Sequence, residues 1–204
     1  GPFAHNLVLG GDVSFTRQTG VRDGTVPPFG EVFPTAAFPE TDYTQGGLFI
    51  GDEISIGPIT LFPALRFDFY DLEPKSDPLL PTFTGAGQSG SRVTPRIGIV
   101  GEIAEGVNLY ANYAQGFAAP EPGQVNQFFE NVIFGYTSAP NPDLRPETSE
   151  TFEAGIRYND DIVSASLTGF VGRYDNFIAQ IQVSGSFTPA DPGVFQFVNL
   201  DEVE

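Results

Sequence analysis

The side chains able to carry chemistry in this sequence are few. It has one histidine, His5, and no cysteine, so no imidazole stands ready to take a proton from a serine or thiol nucleophile. With no thiolate and no second imidazole, the common zinc sites have no ligands. Asp160 and Asp161 read as a hairpin turn, and the run from Asp71 to Asp77 lacks the alternating oxygen spacing of a calcium loop. No glycine-rich strand-to-helix segment is present to cradle a phosphate. These exclusions point away from an enzyme. Nine basic residues against 26 acidic ones give a net charge of −17, which repels nucleic acid phosphates and offers no basic stripe to hold them. What remains is aromatic: Phe 20 and Tyr 7, side chains suited to lining a ligand pocket or a membrane boundary.

The elements that must position these residues read as strands. Gly 24, Pro 18 and 13% aromatic residues favour turns and pleated surfaces over helices. A period of two recurs. In Val107–Gln115, Val107, Leu109, Ala111 and Tyr113 alternate with Asn108, Tyr110 and Asn112; in Ile59–Phe69, Arg66 and Asp68 fall opposite Leu61, Leu65 and Phe67. Leu7–Phe15, Phe152–Tyr158 and Val163–Val171 sort in the same way, in strands of about ten residues. Asp52 breaks the pattern on the face of Leu48, Ile50 and Ile54 and calls for a bulge or a position at a membrane edge.

Connections alternate in length. Tight turns at Gly57-Pro58, Ala104–Gly106 and Asn159–Asp161 alternate with long connections over 18–42, 71–91 and 118–146, each beyond the ~12–15 residues of an ordinary loop. Short turns at one rim and long loops at the other fit an all-β, antiparallel up-and-down transmembrane barrel of about eight strands. A soluble barrel or sandwich gives the same alternation and stays open at this point. No run approaches the ~18 apolar residues of a spanning helix, and a mean hydropathy of −0.07 is compatible with a barrel. On the barrel plan Leu61, Leu65, Phe67, Leu109, Ile156 and Leu167 face lipid, while Arg66, Asp68, Glu153 and Arg157 face the lumen. His5 lies toward the short-turn, periplasmic rim as a structural residue.

One stretch is family-specific. Gly116–Tyr158 reads GFAAPEPGQVNQFFENVIFGYTSAPNPDLRPETSETFEAGIRY: a tyrosine-bearing strand end, a loop, and a return through Asn141, Pro142, Asp143, Leu144, Arg145, Pro146 and Glu147. Pro142 holds Asn141 extended, Asn141 can close a side-chain turn, and Pro146 suits a strand entry. The return string resembles that of TonB-dependent outer-membrane receptors at every position. Phe117, Ala118, Ala119 and Pro120 stand where the haem and haemoglobin branch carries Phe-Arg-Ala-Pro. Gly172–Gln180 and Phe195–Leu200 also resemble the strands that follow this loop.

The resemblance implies a receptor in the bacterial outer membrane, in contact with its lipid, that takes up haem, haem from a haem protein, or a siderophore-type iron chelate. Energy comes from TonB acting through a plug domain, which this sequence lacks. On that reading residues 1–204 are a fragment of a larger barrel, as Gly1-Pro2 and the strand character running up to Glu204 also suggest. No cofactor is required; haem or an iron chelate is cargo. With Ala118 in place of the arginine and no histidine in the loop, Tyr136 is the candidate iron ligand, because a phenolate can ligate ferric haem. Phe128, Phe129 and Phe134 are candidate walls for a porphyrin. The rival readings are a small structural or adhesive outer-membrane barrel and a soluble ligand-binding barrel.

Overall fold

Alternating side chains need a sheet with two different environments, and the chain builds one. The computed structural model describes residues 3–203; Gly1, Pro2 and Glu204 lie outside them. Eight long strands form an antiparallel wall: β1 (Phe3–Gln18), β2 (Thr41–Ile56), β3 (Ile59–Pro74), β4 (Gln88–Ala104), β5 (Val107–Ala118), β6 (Glu147–Asn159), β7 (Ser164–Ser184) and β8 (Gly193–Val203). Each pairs with its neighbours in sequence, and β1 and β8 do not close on one another. The expected up-and-down plan holds, as an open section of a barrel.

The turns at Gly57-Pro58, Glu105-Gly106 and 160–163 share one rim, and the connections 19–40, 75–87, 119–146 and 185–192 share the other. Gly57 (φ +60°) and Gly106 (φ +74°) supply the left-handed geometry that tight hairpins need. Asp160 shapes its turn by accepting the Tyr158 hydroxyl at 2.5 Å and the Ile162 and Val163 N–H groups at 2.8 and 2.7 Å. Those bonds, the Tyr158 hydroxyl first, hold its carboxyl below the usual carboxylate range. The turn is therefore firmest above that range and loosens as pH falls through it.

Three expectations change in detail. The strands run from 11 to 21 residues rather than about ten, because β2 and β3 stay paired out to Thr41 and Pro74, above the apolar part of the wall. The second long loop contracts from 71–91 to 75–87 accordingly. Val163–Val171 and Gly172–Gln180 are largely one strand, β7, which begins at Ser164.

Faces follow from the register, since directly paired residues share a side. Leu9, Ile50 and Leu65 form one row, and Leu109, Ile156 and Leu167 another. Leu65, Phe67, Leu109, Ile156 and Leu167 are exposed on this apolar side, Leu167 by 73%; Leu61 joins them through its partners Ile54 and Ile99. On β3 the opposite side carries Arg66 and Asp68, then Tyr70 and Leu72, which the upper loops cover. The polar side is therefore the inner one, and the exposed leucines meet lipid instead of a protein core.

Asp52 needs no bulge. The β2–β3 register is the same on both sides of it, but the ladder skips Asp52 and Glu53 opposite Pro63 and Phe62, where Pro63 has no N–H to give. Its carboxylate instead pairs with His5 Nδ1 at 2.8 Å. His5, expected to be structural, is therefore the partner that makes an outward acid tolerable.

Two neighbouring residues of β3 test the faces. In the protein refolded into phospholipid vesicles, Leu65→Arg should cost about 2–4 kcal/mol in urea unfolding, as a lipid-facing arginine near the midplane does. Ala64→Arg on the inner side should cost much less. The reverse ranking would invert the wall.

Candidate functional site at the loop cluster

The buried core lies at the upper rim. Tyr43, Tyr70 and Leu72 on the inner side of β2 and β3, with Ile178 on β7, enclose Val125 and Leu144 from the 119–146 loop, with Phe117, Ala119 and Phe197 against them. The first box enters this cluster. The Phe117 ring sits 6.2 Å from Tyr70, and Pro120 is buried, its carbonyl accepting the Tyr43 hydroxyl at 3.0 Å. Ala118 lines a cavity of about 450 Å³ beneath the loop with Asp12, Arg66, Asp68 and Tyr70.

Beyond Pro120 the loop makes a short helix, Pro122–Val125, started by reciprocal bonds between Glu121 and Gln124. Asn126 follows, fully buried. Its side-chain amide accepts the Ala86 N–H at 2.7 Å and donates to the Ala86 carbonyl at 2.9 Å, tying down the 75–87 loop as a strand partner would.

The return string acts as an anchor. Asn141 donates its amide to the Phe197 carbonyl at 2.8 Å and accepts the Asp143 N–H at 3.2 Å, the side-chain turn its type and position suggested. Leu144, 2% exposed, fills the core. Arg145 and Asn199 exchange two bonds at 2.8 Å, and Gln88 donates to the Pro142 and Leu144 carbonyls at 3.3 and 2.5 Å. Glu147 accepts the Ile178 N–H at 2.7 Å. The string thus joins β4, β7 and β8 across the inner side.

Tyr136 lies in a short strand, Tyr136–Ser138, that pairs in parallel with Gly193–Phe195 of β8. Its hydroxyl donates to Glu31 at 3.2 Å, and Glu31 pairs with Arg22 at 2.8 Å. Of the candidate phenylalanines only Phe129 neighbours it, at 6.0 Å between ring centres. Phe128 stacks edge-on against Phe83, and Phe134 against Phe29. The fold brings Tyr136 and Phe129 together and places Phe128 and Phe134 in separate ring pairs that bind neighbouring loops. Glu31, Gln88, Asn126 and Asn199 were not singled out from the sequence, because their partners Tyr136, Leu144, Ala86 and Arg145 lie 40 to 105 positions away, beyond any local pattern.

The anchor can be tested by truncation. Leu144→Ala should cost about 2–5 kcal/mol of loop packing, read as protease cleavage within 119–146 of the folded protein at concentrations that spare the natural sequence. Leu167→Ala, which empties no core, should leave cleavage unchanged. Equal cleavage in both would mean that Leu144 does not hold the loop.

With this geometry in view, likeness to known proteins is informative. The family profile described as TonB dependent receptor-like, beta-barrel matches residues 1–204. A hemin receptor of Yersinia enterocolitica is 28% identical over 165 residues, which is 76% of this chain and 23% of the relative. A probable TonB-dependent siderophore receptor of Acinetobacter baumannii is 31% identical over 126 residues, 54% of this chain and 17% of the relative. Among solved structures, the Serratia marcescens hemophore receptor HasR, in complex with its hemophore HasA and heme, superposes with a TM-score of 0.68 at 18% identity, over 98% of this chain and 37% of that one. The ferric enterobactin receptor PfeA of Pseudomonas aeruginosa gives 0.68 at 21% identity, over 98% and 29%. The chain spans under a quarter of the length of these two sequence relatives. It belongs to the TonB-dependent receptor family, as part of an outer-membrane β-barrel wall.

Proposed function

We propose that this chain is a section of the barrel of a receptor that takes up haem or another iron compound across the outer membrane, driven by TonB through a plug domain that lies outside these residues. The observation that carries this reading is the 119–146 loop. Its ends are fixed by the Phe117–Pro120 and Asn141–Glu147 boxes, while the span between them brings Tyr136 and Phe129 together among the upper loops. A fixed frame around an aromatic, oxygen-bearing segment suits capture of an iron compound at the cell surface. The open sheet supports a larger barrel, because the free edge of β1 must find a partner strand within the membrane. The hemin and siderophore receptors among the sequence relatives support the cargo class. The role is transport, with no catalytic step.

Within that reading Tyr136 is the iron ligand. Its phenol would pass its proton to Glu31 and ligate ferric iron as the phenolate, and Phe129 would supply an apolar wall for the porphyrin. Phe128 and Phe134 contribute by holding the neighbouring loops. Titration of the intact receptor with haemin, followed by absorbance, should show an iron–phenolate spectrum that Tyr136→Phe abolishes. An unchanged spectrum in the variant would remove Tyr136 as the ligand; absence of binding in both proteins would remove haem as the cargo.

A further inference from the structure

Among the described residues a positive φ occurs at five glycines, at Asn176 and at Phe187. Glycine carries no steric cost there, and asparagine tolerates the geometry through its short polar side chain. Phe187 (φ +57°) does neither, because its first side-chain carbon is crowded against the following carbonyl. A bulky residue in this conformation marks a place where the surroundings impose it and where its ring has a use.

The 185–192 loop imposes it from one side through Asp191. The Asp191 N–H and carbonyl exchange bonds with Thr188 at 3.0 and 3.2 Å, the carbonyl also accepts the Ser186 N–H at 3.0 Å, and the carboxylate accepts the Ser186 hydroxyl. From the other side comes Gly135, where a first side-chain carbon would lie 2.6 Å from the Phe187 carbonyl oxygen, and whose own carbonyl accepts the Gly193 N–H at 2.8 Å. All of these contacts are made within the chain. The ring so presented lies over Gly193, where a side-chain carbon would meet it at 2.9 Å, and stands edge-on to Phe195 at 5.7 Å. Phe195 is 6.1 Å from Phe129, and Phe129 is 6.0 Å from Tyr136.

Four rings from two loops and β8 thus form an unbroken arc that starts at Tyr136 and returns beside Gly135, the residue before it. Successive rings are inclined by 48° to 64°, so the arc curves, and Phe187 at its far end is 49% exposed. Inclined rings offer a flat aromatic molecule both edge and face contacts. A chelate that wraps its metal in charged oxygen donors needs polar partners, which these side chains, the Tyr136 hydroxyl apart, do not supply.

We propose that Phe187 grips the porphyrin whose iron Tyr136 ligates, and that the arc makes the cargo a planar tetrapyrrole and not an iron chelate. The assignment rests on the iron-uptake reading above and adds to it a binding residue and a substrate class.

Metal-free protoporphyrin IX separates the ring contact from the iron bond, because it carries the macrocycle without a metal for Tyr136. The intact receptor should bind haemin and protoporphyrin IX, and a ferric tris-catecholate should displace neither. Phe187→Leu keeps the bulk and the backbone strain but removes the ring. It should weaken both porphyrins about tenfold, the order expected for a lost aromatic contact, and leave the iron–phenolate spectrum of bound haemin unchanged. Phe187→Tyr should bind both as the natural receptor does, and Tyr136→Phe should lose the spectrum while keeping its affinity for protoporphyrin IX. Unchanged affinity in Phe187→Leu, binding of haemin without protoporphyrin IX, or displacement by the catecholate would overturn this proposal and leave iron uptake standing. So would weaker binding in Phe187→Leu accompanied by new protease cleavage within 185–192, which would make the ring a support of its loop. Failure of the natural receptor to bind haemin or protoporphyrin IX at all would remove the haem reading and this proposal together.

Discussion

A bilayer interior supplies no hydrogen bonds, so every backbone N–H and C=O that crosses it must be paired within the protein. The rest of this structure follows from that constraint. The eight strands pair in order with long regular registers, and the short-turn rim is built from two- to four-residue hairpins that keep neighbours adjacent. With the backbone satisfied laterally, outward side chains are free to be apolar. Leu65, Leu109 and Leu167 are exposed in the chain and solvated by lipid, which reverses the usual reading of an exposed leucine. Where the β2–β3 ladder lapses, opposite Pro63, an outward acid, Asp52, has acquired a histidine partner.

Where the wall rises past the membrane the solvent is water, and the means of stabilisation change. Among the described residues the buried core of Tyr43, Tyr70, Leu72, Val125, Leu144 and Ile178 lies there, where loops can cover the inner side and bury apolar surface from water. The loops that enclose it have little regular pairing of their own. Side-chain amides take its place: Asn126 against Ala86, Asn141 against Phe197, Asn199 against Arg145. Each is a planar donor–acceptor pair that matches the backbone's own groups, so a long connection is bonded as a strand would be, and the Tyr136–Ser138 segment stays half-buried among the loops.

The inner side is polar for a third reason. It is turned away from lipid, and its charges fall into two kinds. Arg66 is closed off by two aspartates, whereas Arg96 and Arg157 are held by an amide and an aromatic ring.

The sequence by itself determined the strands, the two faces and the alternation of rims, because a period of two and the turn chemistry of Gly57 and Gly106 are local properties. It also determined the anchor string, since Pro142, Pro146 and Asn141 restrict the backbone through their own covalent geometry and short-range bonds. It placed Asp52 on the wrong face without explaining it, because His5 lies 47 positions earlier in the chain. Only the tertiary structure decided how far the strands extend above the membrane, that Phe128 and Phe134 pack away from Tyr136, and that Glu31 waits at its hydroxyl. Those outcomes depend on contacts between loops distant in sequence. Each loop is permissive alone, and its conformation is fixed by what the others place beside it.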